Sequence, residues 1–256
     1  MNRRRMTYAE RHVDMIRHAA RLFGDLSFDA VTTRAIAEAA GVSEALLYRH
    51  FPGKEALYEE MLEYYFGASE PIRNRLEQVP TNTENLAFLI YTVFAFVFRD
   101  VGREADEARL TKRIMARSIM GDGVMAKRQV CNYELVQRKM QVCYEAAIAA
   151  GDVDRPQDKN WLHLWFGHHV AIMLGLFQTS DEPVIEHGDD DMTIQREAVR
   201  FCLRGLGLKE SVIGAFGDFE EFETCAEEIV KMKEEHLQLM EQRGEQEEEE
   251  DDGANS

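Results

Sequence analysis

The segment at residues 32–51, TTRAIAEAAGVSEALLYRHF, limits the possible fold more than any other part of the chain. A helix can begin at Thr32 or Thr33, because a threonine side chain can cap the free N–H groups of a first turn. Gly41 permits the positive φ of a tight turn, and Ser43 can cap a second short helix. Two short helices with a glycine turn can project the second one into a DNA major groove, which is about 12 Å wide.

Every clear hydrophobic period in the rest of the chain is near 3.6 residues, and no segment shows the alternation of a strand. The sequence therefore predicts an all-α fold, in which an N-terminal three-helix DNA-binding domain precedes a C-terminal helical bundle. Capping boxes at Thr7/Glu10 and Thr81/Glu84 predict two of the helix starts. The remaining predicted helices cover 54–67, about 104–120, 125–150, 158–179, 192–206 and 218–241.

The net charge of −17 argues against a nucleic-acid partner, but the charge is unevenly distributed. Residues 1–60 hold nine basic and nine acidic side chains, whereas residues 218–256 hold three and sixteen. We therefore predict three parts: a DNA-binding domain at 1–55, a ligand-binding and dimerisation domain at 56–217, and an acidic helix with a disordered tail at 218–256. The acidic tail could compete with DNA for the basic face, or it could be only a solvated end.

The helix spacing leaves one set of side chains facing outward or beside the groove. Hydroxyls and cations in this set suit phosphate oxygens, and the start of the second helix suits base edges. Arg3, Arg4 and Arg5 could add a mobile arm on the DNA backbone or minor groove. The predicted DNA-binding residues are Thr32, Thr33, Arg34, Ser43, Glu44, Ala45, Leu46, Tyr48, Arg49, His50 and Lys54.

These residues resemble the DNA-binding domain of the tetracycline-repressor (TetR) family of transcriptional regulators. The similarity covers about residues 8–65 and is strongest over 32–43, 47–51 and 54–57. It implies an all-helical homodimer with an effector domain, phosphate contacts at Thr33 and Lys54, backbone contacts at Tyr48 and His50, and base reading by residues 43–46. Leu46 departs from the family, which often has Thr or Ser there, and could meet a thymine methyl group. Glu44 could accept from cytosine or only favour the helix N-terminus.

Aromatic and methionine side chains in the bundle suggest a cavity for an apolar or aromatic effector, although such stripes are more often simple core. His163, His168 and His169 lack the spacing of metal ligands, so we predict no metal and no cofactor. The predicted effector-binding residues are Phe88, Tyr91, Phe94, Met115, Met140, Trp165 and His169.

Helices 158–179 and 192–206 resemble the pair that forms the family's dimer. Gly167, Ala171 and Gly175 make a strip of small residues that could let helices approach closely across a two-fold axis. Packing within the chain is the alternative explanation of this strip.

Together these features predict a cytoplasmic, ligand-responsive transcriptional regulator, most simply a repressor. The expected partners are double-stranded operator DNA with an inverted repeat, a second copy of the chain and a small effector, with no membrane. We expect no enzymatic activity, because no catalytic motif was found. The alternatives are a thiol redox sensor using Cys131, Cys143, Cys202 or Cys225, and a non-regulatory helical protein or enzyme of unknown chemistry.

Overall fold

The computed structural model describes residues 6–67, 75–121, 123–156, 158, 160–180, 182, 184–188, 190–232 and 235. Within these ranges the chain is helical and has no strand, apart from one isolated bridge between Val153 and Leu208, which confirms the all-α prediction. A short helix at 75–78 and a terminal helix at 220–232 complete the set. The other helices are α1 Tyr8–Asp25, α2 Thr33–Ala39, α3 Glu44–His50, α4 Lys54–Phe66, α5 Thr83–Val97, α6 Ala105–Met120, α7 Val124–Ala150, α8 Asn160–Leu176, α9 Asp191–Gly205 and α10 Glu210–Ala215.

The described residues divide into two compact units. The first lies within 1–69 and 113–128, and the second lies within 70–112 and 129–232. The first unit therefore includes all of α4 and extends beyond the 1–55 domain predicted from the sequence.

In the first unit, α1 begins at the predicted capping box, in which Thr7 accepts from the Glu10 N–H and the Glu10 carboxylate accepts from the Thr7 N–H. The last turn of α1 has no basic residue of its own. Arg117 supplies that charge, since its Nε donates to the Gly24 carbonyl at 2.7 Å. A cation at the C-terminal end of a helix is favoured by the helix dipole.

The two short helices form as the sequence predicts. The hydroxyl of Thr32 caps α2 by accepting from the Ala35 N–H, and the hydroxyl of Ser43 caps α3 by accepting from the Leu46 N–H. Gly41 between them has φ +66°, a conformation that side chains with a Cβ rarely adopt. Nearly complete burial of Ile36, Leu47 and Phe51 fixes α2 and α3 against the rest of the unit.

The start of α5 differs from the predicted capping box. Asn82, not Thr81, is the N-cap residue, because its side-chain oxygen accepts from the Asn85 N–H at 2.8 Å. The helix therefore begins at Thr83, whose own hydroxyl donates to Asp152 at 2.5 Å.

The core of the second unit forms around α5, α8 and α9, with Tyr91, Phe94 and Tyr144 fully buried. The strip of small residues on α8 faces this core. A Cβ at Gly175 would stand 3.1 Å from the Val97 carbonyl oxygen of α5, and one at Gly167 would stand 3.5 Å from the Cys202 sulfur of α9. The strip therefore serves packing within the chain.

The terminal helix is part of the second unit rather than an appended tail. Phe219, Phe222 and Ala226 are buried in the core cluster. Glu223 accepts hydrogen bonds from the Tyr91 hydroxyl and from Arg99 Nη2, the latter at 2.6 Å. The predicted boundary at 217/218 therefore divides a single core, because apolar side chains of residues 218–232 complete it. Met240, which the sequence places on the same apolar stripe, lies outside the described residues.

Removing the terminal helix should therefore destabilise the second unit. A chain that ends at Gly217 should lose at least about 5 kcal/mol of unfolding free energy, since deleting one buried phenyl ring costs about 3–5 kcal/mol. A chain that ends at Glu235 is the control and should unfold like the full chain. Urea denaturation followed by circular dichroism measures both, and equal midpoints would contradict a core role for residues 218–232.

Candidate functional site

The first turn of α3 presents an exposed face. Ser43, Glu44 and Ala45 are exposed and Leu46 is half-buried, so all four positions that were predicted to read bases are accessible. Arg49, on the next turn, is also exposed. We call residues 43–46 together with Arg49 the reading face.

Two hydroxyl groups lie side by side between α2 and α3. The Thr33 Oγ1 and Tyr48 Oη atoms are 3.3 Å apart, and the Tyr48 side chain is half exposed. Each hydroxyl can donate a hydrogen bond, so the pair can hold a single phosphate oxygen between the two helices.

Arg34 is exposed, but its charge is already engaged. Its Nε donates to Glu38 Oε1 at 2.9 Å. The bond to Glu38 and the charges of Glu38 and Glu44 raise the pKa of Arg34 above its usual value. A phosphate contact by Arg34 must therefore compete with the Glu38 carboxylate.

The structure places His50 inside the unit, although the family resemblance implies a contact with the DNA backbone. Its ring stacks on Tyr8 with centroids 3.8 Å apart, and its Nδ1 lies 3.4 Å from the Nδ1 atom of His12. Burial, followed by the charges of His12, Arg49 and Arg11, lowers the pKa of His50 to about 4. We therefore interpret His50 as a neutral side chain that positions α3 against α1.

Lys54 is likewise not a free cation. Its Nζ donates to the carbonyl oxygens of Phe28 at 2.9 Å and Val31 at 3.1 Å, and it lies 4.2 Å from the centre of the Phe28 ring. Two of its three N–H donors are thus occupied. At the same place, α4 has no side-chain cap, so its first-turn N–H groups remain suited to an anion.

Sequence reasoning missed two residues that support the reading face. The Tyr8 hydroxyl donates to the Arg49 carbonyl at 3.2 Å, and His12 Nε2 lies 2.7 Å from Glu60 Oε2. These contacts join residues 41 and 48 positions apart, and no local pattern reveals such pairs. Arg3, Arg4 and Arg5 lie outside the described residues.

In the second unit, a cavity of about 330 Å³ opens between α5, the segment 75–80, Val136 of α7 and the terminal helix. Of the seven predicted effector-binding residues, only Phe88 lines it. Tyr91, Phe94 and Met140 are fully buried in the core, Trp165 packs edge-on against Tyr133, and His169 is exposed. Met115 belongs to the first unit.

Neither histidines nor carboxylates form a metal site within the described ranges. His168 is a buried core residue that stacks on Tyr133, and burial followed by the charge of His169 lowers its pKa to about 4. None of the described helices is long and apolar enough to cross a membrane.

Comparison with known proteins relates part of the first unit to one family. The model described as bacterial regulatory proteins, tetR family, matches residues 15–61, which contain α2, α3 and most of α1 and α4. This part of the chain, which we call the TetR domain, is therefore similar to that family. Its curated relatives and structural neighbours include DNA-binding regulators, among them a transcriptional repressor.

Two curated relatives each match about a third of this chain or less. Nucleoid occlusion factor SlmA of Vibrio vulnificus is 36% identical over 73 residues, which is 28% of this chain and 37% of that protein. The transcriptional repressor KstR2 of Mycolicibacterium smegmatis is 33% identical over 90 residues, which is 34% of this chain and 42% of that protein. The chain thus matches well under half the length of these relatives.

Solved structures extend the likeness of fold beyond the TetR domain. A TetR-like regulator from Rhodococcus is 16% identical with a TM-score of 0.57, covering 80% of this chain and 100% of that one. KstR2 of Mycobacterium tuberculosis is 19% identical with a TM-score of 0.56, covering 78% and 96%. At this identity the likeness concerns the fold alone.

The contacts of Lys54 predict a split between stability and DNA affinity. Lys54→Met should lower the unfolding temperature of the TetR domain by several degrees, because two buried carbonyl groups lose their charged donor, typically worth about 1.5–3 kcal/mol per bond. Arg49→Ala should leave that temperature unchanged and weaken binding to all duplexes. Thermal unfolding and fluorescence anisotropy measure the two effects. Equal unfolding temperatures for Lys54→Met and the wild type would show that the contacts of Lys54 do not stabilise the domain and that its charge is available to DNA.

The burial of His50 predicts acid sensitivity of the same domain. Because the folded-state pKa of about 4 lies below the ordinary 6.5, the unfolded state binds the proton more readily. The free energy of unfolding should therefore fall as the pH drops from about 6.5 towards 4. His50→Gln should flatten this slope, whereas His187→Gln, at an exposed position, should not. An unchanged slope in His50→Gln, measured by urea titration at several pH values, would contradict the assignment.

Proposed function

We propose that the chain is a DNA-binding transcriptional repressor that binds an inverted-repeat operator as a homodimer and releases it when a small effector binds. The observation that carries this proposal is the reading face, which α1 and α2 support from behind. Its exposed positions lie at the start of a short helix, the part of a recognition helix that contacts base edges. Leu46 offers a methyl-sized apolar contact to thymine, and Glu44 can accept from cytosine.

Phosphate contacts would set the register of α3 on the duplex. The hydroxyl pair of Thr33 and Tyr48, the exposed Arg49 and the uncapped N-terminus of α4 are three different kinds of phosphate donor around the reading face. Thr32 and Arg34 stand at the start of α2 and can add contacts to the same backbone.

Exposed apolar side chains on α8 and α9 support a dimer. Phe166 and Met173 are about half exposed and lie seven residues apart, so they share one side of α8. Phe201 on α9 is 66% exposed. Phe166 and Met173 lie away from the buried Gly167 and Gly175 on α8, and a second copy of the chain would remove all three exposed side chains from water. In such a dimer, two reading faces about 34–36 Å apart would enter successive major grooves.

The cavity of the second unit is the proposed effector site. Its volume of about 330 Å³ and its phenyl walls suit a small molecule with an apolar body. The dimer can have two conformations that differ in the distance between its reading faces. An effector that binds only the conformation unsuited to DNA lowers the DNA affinity by linkage, typically by about 1–3 kcal/mol.

The thiols give little support to redox sensing. Burial raises the pKa of Cys143, Cys202 and Cys225, for Cys202 to about 12, and a thiol that stays protonated reacts slowly. The side chain of Cys131 lies outside the described residues. The SlmA relatives suggest a role in nucleoid occlusion as a second candidate, since the same reading face would serve either role.

Selection of bound sequences from random duplex DNA tests the proposal. The wild-type protein should enrich an inverted repeat with half-sites about one helical turn apart, and Glu44→Ala or Leu46→Ala should each change the preferred bases, since a base contact is worth about 1–3 kcal/mol. Asp29→Ala, an exposed acidic position outside α2 and α3, is the control and should select the wild-type sequence.

Other outcomes of this experiment would refute individual parts of the proposal. No enrichment at low ionic strength would refute sequence-specific DNA binding, and a single unpaired half-site would refute the dimer. An unchanged consensus in both variants would refute the assigned reading face. Enriched sites that are spread over the chromosome rather than placed at promoters would favour nucleoid occlusion.

A further inference from the structure

The cavity of the second unit has two facing walls that repeat at helical spacing. From α5 come residues at i, i+3, i+7 and i+11, and from the terminal helix come residues at i, i+4, i+7 and i+11. The terminal helix thus serves the cavity as well as the core. The wall residues on α5 are Asn85, Phe88, Thr92 and Phe96. Those on the terminal helix are Glu221, Cys225, Glu228 and Met232, and Phe222 and Ile229 line the cavity beside them.

The inner part of the cavity is an aromatic corner. The Phe88 and Phe222 rings meet edge to face with centroids 5.6 Å apart, and Phe96 lies two turns further along α5. Leu76 and Val136 add apolar surface. Phenyl faces carry negative potential, so they attract cations as well as apolar groups.

The rim of the cavity is acidic. Glu84, Glu221 and Glu228 line it, whereas Arg75 is the single basic residue among its described lining residues. All four charges act on the Cys225 thiol, so they lie close to the same part of the cavity. Within the described ranges none of the three carboxylates takes part in an ion pair. The net charge of −2 at the rim attracts a cation and repels an anion.

The terminal helix is held in place before any ligand arrives. Glu223, the neighbour of Phe222, does not line the cavity and binds Tyr91 and Arg99 of the segment that contains α5. The side chains of Arg99 and Glu223 are only 11% and 19% exposed, so this ion pair is poorly screened by solvent. A preformed cavity avoids the cost of ordering its walls when a ligand binds.

We propose that this cavity binds a small organic cation with an aromatic or apolar body. The cationic group lies among Glu84, Glu221 and Glu228, and the body lies against Phe88 and Phe222. Only the claim that this cation is the effector rests on the proposed function; the binding site itself does not.

Three probes of similar size test the charge preference on the full-length protein without DNA. They are (4-phenylbutyl)trimethylammonium, the neutral 5-phenylpentanol and the anionic 5-phenylpentanoate. Isothermal titration calorimetry should show that the ammonium binds at least about tenfold more tightly than the carboxylate, with the alcohol between them, as expected for one unit charge facing a net −2 rim. Added salt should reduce the difference.

Matched variants locate the site. Glu221→Gln combined with Glu228→Gln should weaken binding of the ammonium about five- to tenfold and leave that of the alcohol unchanged, since only the charge is removed. Glu227→Gln, an exposed position of the same helix outside the cavity, is the control and should bind as the wild type does. The ammonium should also slow the alkylation of Cys225 by N-ethylmaleimide, read by peptide mass spectrometry.

The outcomes separate the site from its role. Three results would refute the cation site: equal affinity for all three probes, an unchanged affinity for the ammonium in the double variant, or unchanged alkylation of Cys225. Each would do so even where operator binding is confirmed. If the ammonium binds as expected but leaves operator affinity unchanged, the cation site stands and the effector role in the proposed function fails.

Discussion

The packing of α3 against α1 is the interaction on which the DNA-binding surface depends. Leu47 and Phe51 are almost fully buried, and each such side chain contributes about 1.5–3 kcal/mol to stability. His50 adds a stacked contact with Tyr8 on the same side of α3. Since these residues alternate with Tyr48 and Arg49, their burial forces the latter two outward. A rotation of α3 by one residue would bury the charged Arg49 and separate Tyr48 from Thr33.

For binding to DNA, the charge near the contact surface matters more than the net charge of the chain. Dissolved salt limits the range over which an exposed charge acts to about 8–10 Å. The charges close to the reading face are therefore the ones that act on a bound duplex. Near that face, however, Glu38 neutralises Arg34 and two carbonyl groups occupy Lys54. The DNA affinity of the described residues must then come largely from hydroxyl groups, helix N-termini and Arg49. Because few cations contact phosphate, this affinity should depend only weakly on salt concentration.

The sequence predicted what local rules control. Caps at Thr7, Thr32 and Ser43 were confirmed, because each depends on neighbours within four residues. The capping box at Thr81 was wrong, because Asn82 offers a competing cap one residue later. The burial of His50 and the engagement of Lys54 could not be foreseen, because their partners lie 23 to 42 positions away. For the same reason an aromatic stripe could not distinguish core from cavity wall.

The terminal helix shows how one sequence pattern can serve stability and binding together. Its apolar residues at 219, 222 and 226 complete the core, whereas the residues at 221, 225 and 228 line the cavity. The two sets lie on adjacent sides of a single helix, so the same docking that buries one set creates the wall formed by the other. A ligand that fills the cavity must also strengthen this docking, since it contacts both helices. Any signal from the cavity therefore begins as a change in how firmly the terminal helix is held on α5.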